Sequence, residues 1–283
     1  KEEGKMYKRI SSESIQEFQR YLQMEEKSAS TIKKYVKETE YLAEFLKGTE
    51  LQKERLIAYR NFLQKKNRAC TVNGKLSAIN AYLVFSGNEG CRVRFLKVQH
   101  HAFVNENREL EEMEYRRLLL AAKNQDNERL YYILLTISGT GIRISELKYI
   151  TVEAVCLGRS EINLKGKNRT ILIPRELRER LAEYIRVQKI VSGPIFITRN
   201  GNPVDRSNIC HEMKKLCLTA EVRESKVFPH NLRHLFARKY FEIDKNLPHL
   251  ADILGHSSIE TTRIYVAASA REHEKVLEKM KLM

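Results

Sequence analysis

The chain has 283 residues, of which 42% are hydrophobic and 31% charged, a balance typical of a folded globular protein rather than a disordered or membrane-embedded one. This length suffices for two domains with separate cores, or for one large domain. No run reaches the roughly 18 apolar residues of a spanning helix, and the charged N-terminus lacks the apolar stretch of a signal peptide. Because the chain does not begin with Met, we expect either a native start at Met6 or a missing N-terminal segment.

The net charge of +15 is shared by both halves of the chain. Residues 1–100 contain 20 Lys and Arg against 12 Asp and Glu, and the remainder contains 31 against 24. Two basic lobes suit a polyanion held between them, although the charge alone is equally compatible with an ordinary basic soluble protein.

The 5 cysteines are scattered without a CxxC pair. This pattern indicates reduced thiols in a cytosolic protein, and neither a disulfide framework nor a zinc site.

Helical patterns fill the first 90 residues and indicate a small all-α domain. The predicted helices lie within 11–47 (two helices), Leu51–Lys66 and Thr71–Gly87. Ser11 can cap the first helix, and Ser28 or Ser30 the second. On the polar faces, Lys33 and Lys34 lie together on the second helix. A charged outer face is also what any soluble helix presents, so contact with a partner and simple solvation both stay open.

A second region follows residues 88–107, which lack a helical period and are predicted to be an extended linker. Residues 130–150 are strongly apolar and are interrupted by Gly139-Thr140-Gly141, after which Ser145 and Glu146 are predicted to open another helix. Alternating apolar residues at 161–174, around a turn at Gly166, predict a β-hairpin. Further helices are predicted over Arg175–Val191, Ser207–Ala220 and the C-terminal REHEKVLEKMKLM.

The stretch from Phe228 to Tyr265 is rich in histidine. His230 and Arg233 lie three residues apart, so on one helix they share a face. His256 directly follows a helix-breaking glycine, and Tyr265 comes nine residues later. Such a group could hold a phosphate and attack it. Each residue alone is a weak signal, because a tyrosine in a helix is more often a core residue than a nucleophile.

The order of several motifs is far more specific. TGIRISEL, a lysine in the hairpin, HNLRH, LGHSSIETT and the following tyrosine together resemble the tyrosine recombinase (phage integrase) family, and STIKKYVKETEYLAEFL and TVNGKLSAINAYLVF resemble its N-terminal domain. The resemblance covers nearly the whole chain. It implies a mostly α fold with a small β-hairpin in the C-terminal domain, built as a two-domain clamp on DNA. Residues 1–87 would be an all-α core-binding (SAM-like) DNA-binding domain, 88–107 a linker, and 108–283 the catalytic domain with a C-terminal helix.

The resemblance also implies which residues act. Tyr265 would attack the DNA phosphate and form a 3′-phosphotyrosine, leaving a 5′-hydroxyl. The implied catalytic set is Arg143, Lys165, His230, Arg233, His256 and Tyr265. The implied DNA-contacting set is Lys33, Lys34, Asn73, Lys75, Lys167 and Arg169. No metal ion or other cofactor is expected, since the arginines and a lysine supply the positive charge that a two-metal nuclease takes from its ions.

Two assignments within this set have alternatives. The lysine that protonates the 5′-oxygen usually precedes the hairpin glycine in this family, which favours Lys165 over Lys167. Glu146 is expected either to orient a neighbour by hydrogen bonding or to act only as a helix-cap charge. His234 and His249 are interpreted as packing or surface residues.

The implied partner is double-stranded DNA carrying specific recombination sites. Four subunits would assemble on two sites by exchanging C-terminal helices, and strand exchange would pass through a Holliday junction. We expect the integrase or resolvase of a mobile element, with a Xer-like chromosome or plasmid dimer resolvase as the alternative. A type IB topoisomerase-like relaxing enzyme is the rival of another class. The expected location is the bacterial cytoplasm, in association with the nucleoid.

Overall fold

The computed structural model describes residues 8–98, 106–164, 167–256, 258–265 and 279–280. The chain forms two compact units, Lys1–His100 and His101–Met283. Among the described residues there are twelve α-helices and one two-stranded antiparallel sheet. This confirms the predicted class, mostly α with a small β-hairpin in the C-terminal part. Within the same ranges, no helix is both long enough and apolar enough to cross a membrane.

The described part of the first unit is a four-helix domain. Its helices are α1 (Ser12–Met24), α2 (Ala29–Leu46), α3 (Lys53–Lys66) and α4 (Ala69–Phe85). The predicted caps at Ser11 and Ser28 are confirmed, because each side chain accepts a backbone N–H from the first turn of its helix. The apolar stripes of the helices meet in one core. Inside that core the hydroxyls of Ser14 and Tyr82 form a hydrogen bond of 2.8 Å.

Two asparagines of α4 hold the segment that follows this helix. The Asn80 amide donates to the carbonyl of Val93 and accepts from its N–H, both at 2.9 Å. Asn73 makes the same pair of bonds with Leu96, at 2.9 and 2.8 Å. Val93 is buried in the core of the first unit. The beginning of the predicted linker, 88–107, therefore packs on the first unit as a continuation of its fold.

The second unit contains the remaining described elements. Its helices are α5 (Glu112–Asn124), α6 (Glu128–Thr140), α7 (Val152–Leu157), α8 (Arg175–Val187), α9 (Arg206–Thr219), α10 (Pro229–Ile243), α11 (Leu247–Leu254) and α12 (Ile259–Arg263). Its strands β1 (Arg159–Leu164) and β2 (Lys167–Leu172) pair with Ser160 opposite Ile171. The helix predicted to open at Ser145 and Glu146 is a short 3₁₀ helix, Ile144–Tyr149. Most of the predicted C-terminal helix lies outside the described residues, and Lys279 and Met280 are helical and exposed.

Two glycines end helices where the backbone approaches another element closely. Gly141 (φ +64°) follows α6 and Gly255 (φ +63°) follows α11, both in the left-handed region that favours glycine. A Cβ atom on Gly141 would overlap the ring of Phe236 on α10. A Cβ atom on Gly255 would overlap the side chain of Arg169 on β2. The ends of α6 and α11 also meet at Arg233 of α10, which donates to the carbonyls of Gly141 and Leu254.

Candidate active site

Five of the six predicted catalytic side chains come together at helix ends of the second unit. Arg143 follows α6, His256 follows α11 and Tyr265 follows α12, whereas His230 and Arg233 lie in the first turns of α10. Interatomic distances of 2.8 Å between Arg233 and His256 and 3.2 Å between His230 and Tyr265 join four of them directly. The sixth, Lys165, lies outside the described residues, and the alternative Lys167 opens β2 opposite Leu164.

Arg233 is the largest fully buried side chain of the described residues, with 1% of its surface exposed. Its Nη1 donates to the carbonyl of Gly141 and its Nη2 to the carbonyl of Leu254, both at 2.7 Å. Burial and the neighbouring Arg143 guanidinium lower the pKa of Arg233 to about 10. Backbone carbonyls thus hold this charge in place without neutralising it, which leaves the charge available to an anion.

Glu146 lies at the centre of the cluster, with its side chain 5% exposed. One oxygen accepts from the Arg143 N–H at 2.8 Å and from Arg169 Nη1 at 2.5 Å, and the other accepts from Arg143 Nη1 at 3.0 Å. Burial alone would raise the pKa of Glu146, but the Arg143 N–H and the Arg169 guanidinium hold it below its usual value. The carboxylate therefore orients both arginines, besides capping the 3₁₀ helix.

The charges around this site do not balance. In the described part of the chain, Glu146 is the one carboxylate that forms an ion pair with Arg143, Arg169 or Arg233. Arg143 and Arg169 therefore share this carboxylate, and Arg233 donates to backbone carbonyls and His256 instead. The side chain of Arg143 is 42% exposed, so the surplus charge reaches solvent on that side. Because guanidiniums bind phosphate oxygens in pairs, this arrangement can hold a phosphodiester.

Tyr265 is 6% exposed, and its hydroxyl lies 3.2 Å from Nε2 of His230. Partial burial of the His230 ring and nearby positive charge lower the pKa of His230 to about 4, so the imidazole is neutral at neutral pH. When the single proton of the neutral ring is on Nδ1, Nε2 accepts the hydrogen bond that the tyrosine hydroxyl donates. His230 can therefore take the tyrosine proton during an attack.

Arg169 was predicted to contact DNA, and the structure gives it another role. Its side chain is 9% exposed and pairs with Glu146. Its Nη2 donates to the carbonyl of Ile253 at 2.7 Å. These contacts fix the loop that carries His256, and the contact of Arg169 with DNA stays a prediction.

The predicted DNA-contacting residues of the first unit differ in their exposure. Lys33 and Lys34 are exposed on α2. Lys75 instead pairs with Glu38 at 2.7 Å, with 19% of the lysine side chain exposed. The Asn73 amide is engaged by the backbone of Leu96. Lys33 and Lys34 are thus exposed, whereas Asn73 and Lys75 make intramolecular contacts. The DNA contacts of all four residues stay predictions.

Two further residues belong to this cluster and were missed from the sequence. The ring centroid of His234 lies 4.3 Å from that of Tyr265, although His234 was interpreted as a packing or surface residue. The carboxylate of Glu109 lies 3.4 Å from Nδ1 of His234. The available signal was spacing, since His234 follows His230 by four residues and so shares its helix face. His249, set aside in the same way, is on the surface with its side chain 62% exposed.

Comparison with known proteins identifies the family. The pattern of the phage integrase family matches residues 108–272, more than half of the chain. The chain belongs to the phage integrase family. It is therefore a tyrosine recombinase, an enzyme that breaks and rejoins DNA.

Proteins similar to this tyrosine recombinase include a Xer recombinase, a resolvase and, by fold alone, a transposon integrase. It is 29% identical to tyrosine recombinase XerA of Pyrococcus furiosus over 98% of this chain and 96% of that one. It is 24% identical to the TnP I resolvase of Bacillus thuringiensis over 88% and 93% of the two chains. The Tn1549 transposon integrase, solved in complex with transposon right end DNA, shares its fold with a TM-score of 0.72 at 15% identity, over 95% of this chain and 99% of that one.

Proposed function

We propose that this recombinase cleaves duplex DNA through Tyr265. The phenol oxygen forms a bond to the scissile phosphorus, the bond from phosphorus to the 5′-oxygen breaks, and a 3′-phosphotyrosine and a 5′-hydroxyl result. The proton of Tyr265 passes to His230. The observation that carries this proposal is the Tyr265 hydroxyl 3.2 Å from a neutral imidazole, beside guanidiniums with surplus positive charge. Attack by a 5′-hydroxyl on the phosphotyrosine reverses the step, so rejoining needs no added energy source.

Arg143 and Arg233 are the proposed phosphate ligands. Attack on a phosphodiester adds negative charge to the non-bridging oxygens, and fixed donors that are already oriented stabilise this charge best. The carboxylate of Glu146 orients Arg143, and two backbone carbonyls orient Arg233. His256 accepts a hydrogen bond from Arg233, which supports an orienting role for this histidine.

The proposed general acid is Lys165, with Lys167 as the alternative. The leaving 5′-oxygen must gain a proton as its bond to phosphorus breaks, and a lysine at the tip of the hairpin can supply it. The preference for Lys165 still rests on its place before Gly166, as in related recombinases.

The proposed mode of DNA binding uses both units of the chain. Residues 1–87 would act as the core-binding domain, 88–107 as the connector and 108–283 as the catalytic domain. The exposed Lys33 and Lys34 would contact the phosphate backbone, which makes affinity dependent on salt. A DNA partner is supported by the DNA complex of the Tn1549 integrase, a protein with the same fold.

We also propose a tetramer linked by C-terminal helices. Helices α5, α6, α8 and α10 enclose a groove of about 680 Å³ whose walls include Leu119, Leu135, Leu235 and Ile243. A short amphipathic helix fits such a groove. The proposed occupant is the C-terminal segment of a neighbouring copy, inserted as four subunits bind two DNA sites and pass through a Holliday junction.

For the biological role, we propose the integration or resolution of a mobile element in a bacterial cytoplasm, at the nucleoid. The similarity to the TnP I resolvase, and the fold shared with a transposon integrase, support this role. A Xer-like dimer resolvase is the second candidate, because XerA aligns with 98% of the chain. Excised DNA circles that depend on the protein in cells would support the first role. Chromosome or plasmid dimers that accumulate on its deletion would support the second.

A nicked DNA substrate tests the chemistry. Cleavage next to the nick releases a short fragment, so the covalent protein–DNA complex cannot religate and accumulates. Tyr265→Phe should bind DNA normally and trap no complex, whereas Tyr184→Phe, at a buried tyrosine packed against Phe196, should behave as the unaltered protein. A covalent adduct formed by Tyr265→Phe would disprove the assignment of the nucleophile. Relaxation of supercoiled plasmids without a specific site would point instead to a topoisomerase.

A further inference from the structure

The ring of Tyr265 contacts three imidazoles, and the ring centroid of His234, which has no assigned role, is the nearest of the three. The ring centroid of His234 lies 4.3 Å from that of Tyr265, compared with 5.3 Å for His230 and 5.0 Å for His256. The rings of His234 and His230 also meet edge to face at 4.8 Å. His234 thus touches both the proposed nucleophile and the proposed base.

A buried carboxylate lies on the far side of this imidazole. The side chain of Glu109 is 13% exposed and that of His234 is 14% exposed. Oε1 of Glu109 lies 3.4 Å from Nδ1 of His234, and Oε2 lies 3.8 Å from Nη2 of Arg238. Burying a carboxylate is costly unless it is paired, so Glu109 strongly favours the ring orientation in which Nδ1–H points at it.

We propose that Glu109 and His234 form a positioning pair that holds the Tyr265 hydroxyl at His230. This inference rests on the proposed function and adds two residues to it. Tyr265 follows α12, a helix that spans only Ile259–Arg263, so its own element gives the phenol little support.

The ring of His234 supplies that support. Contact between the two rings, with centroids 4.3 Å apart, stabilises their relative position beyond what burial alone provides. Turning the imidazole would cost Glu109 its contact with Nδ1 and leave the carboxylate with the longer ion pair to Arg238, so the face that Tyr265 meets is fixed. A fixed phenol keeps its oxygen in hydrogen-bond reach of His230, as the attack requires.

The pair is tested by variants that separate the ring from its hydrogen bond. His234→Phe keeps a ring but loses the donor. Glu109→Ala removes the acceptor, whereas Glu109→Gln keeps an acceptor oxygen. Glu112→Gln changes a nearby, more exposed carboxylate and serves as the control. The measurements are the single-turnover rate of covalent complex formation on the nicked substrate at saturating DNA from pH 6.5 to 9.5, the Kd for the same DNA, and the urea midpoint.

The pH profile distinguishes positioning from a structural contribution. In the unaltered protein His230 accepts the tyrosine proton, so the rate should be nearly flat over this range. His234→Phe and Glu109→Ala should be about 10- to 100-fold slower at pH 7, with Kd within about twofold, because a displacement of about 1 Å can cost that much. Their rates should rise about tenfold per pH unit, because hydroxide from solvent then replaces His230 as the acceptor of the phenol proton. Glu109→Gln should stay within about threefold, as should Glu112→Gln.

Two outcomes would overturn the Glu109–His234 pair, and a third would overturn the proposed function. Rates and flat profiles unchanged in both His234→Phe and Glu109→Ala would overturn the pair, while the inactivity of Tyr265→Phe would leave the proposed function intact. Slower rates with flat profiles and lower urea midpoints would show a purely structural role and also overturn it. If the unaltered protein forms no covalent complex, the proposed function itself fails.

Discussion

Nη2 of Arg233 donates to Nε2 of His256 at 2.8 Å, while Nδ1 of the same histidine lies 2.8 Å from Oγ1 of Thr262. Because arginine has no acceptor, Nε2 must accept, and Nδ1 carries the only proton of the ring. His256 is therefore the neutral Nδ1–H tautomer and donates to Thr262. It ties the buried guanidinium to α12, the helix that leads to Tyr265.

This neutrality predicts a stability that falls in mild acid. Burial and adjacent arginines lower the pKa of His256 to about 4, and the pKa of His230 is also about 4, against about 6.5 in an unfolded chain. Between these values the unfolded state binds more protons, so stability must decrease as pH falls from about 6.5 toward 4. The pKa of Glu146 is lowered from its ordinary value of 4.5, so this carboxyl adds a loss of stability of the same sign as pH approaches 4.5.

Urea unfolding at a series of pH values between 5 and 6.5 measures the effect. His256→Asn should show a shallower decline of the urea midpoint than the unaltered protein, since one of the two histidines is gone. His211→Asn, at an exposed position on α9, should keep the full slope. Equal slopes in all three proteins would contradict the neutral assignment of His256.

Removing the charge of Glu146 should destabilise the second unit strongly. Glu146→Gln leaves Arg169 buried, with 9% of its side chain exposed, and without its ion pair. Breaking a buried pair costs about 3–5 kcal/mol, so the free energy of unfolding should fall by roughly that amount. The control is Glu183→Gln, which breaks the exposed pair with Arg186 and should change stability little. A loss no larger than that of the control would mean that Arg169 finds another partner.

The importance of the Glu146–Arg169 ion pair could not be foreseen from the sequence. Helix caps such as Ser11 and Ser28 depend on residues within one turn, and the motif order placed Arg143, Arg233 and Tyr265 in one site. The partners of Arg169, by contrast, lie 23 residues upstream in Glu146 and 84 residues downstream in Ile253. An arginine in a hairpin appears solvated until the fold brings such distant groups to it.

The close approach of Gly255 to the Arg169 side chain predicts that even a small substitution at Gly255 lowers stability. Gly255→Ala introduces a side chain at φ +63° and also displaces Arg169, whereas Gly193→Ala at φ +75° has open space around it. Left-handed backbone alone costs an L-residue roughly 1–2 kcal/mol. Gly255→Ala should therefore lose more stability than Gly193→Ala in urea unfolding, and should also slow covalent complex formation on the nicked substrate. Equal losses in both variants would show that the loop after α11 yields to the added methyl group.

The salt dependence of DNA binding should separate exposed from paired lysines. Each phosphate contact contributes about 0.9 to the slope of log affinity against log salt concentration. Lys33→Gln and Lys34→Gln should therefore each reduce the slope by about 0.9, the contribution of one phosphate contact. Lys75→Gln should leave it unchanged, because this lysine already pairs with Glu38 at 2.7 Å. A reduced slope for Lys75→Gln would show instead that Lys75 contacts a DNA phosphate.

The general acid can be identified by changing the leaving group. In a substrate whose scissile 5′-oxygen is replaced by sulfur, the thiolate departs without needing a proton. Lys165→Ala should be slow on the oxygen substrate and recover most of its rate on the sulfur substrate, because the missing function is proton donation. Lys167→Ala should show the same relative rates on both substrates as the unaltered protein. If sulfur rescued Lys167→Ala and left Lys165→Ala slow, the two roles would be exchanged, with Lys167 protonating the leaving oxygen and Lys165 contacting DNA.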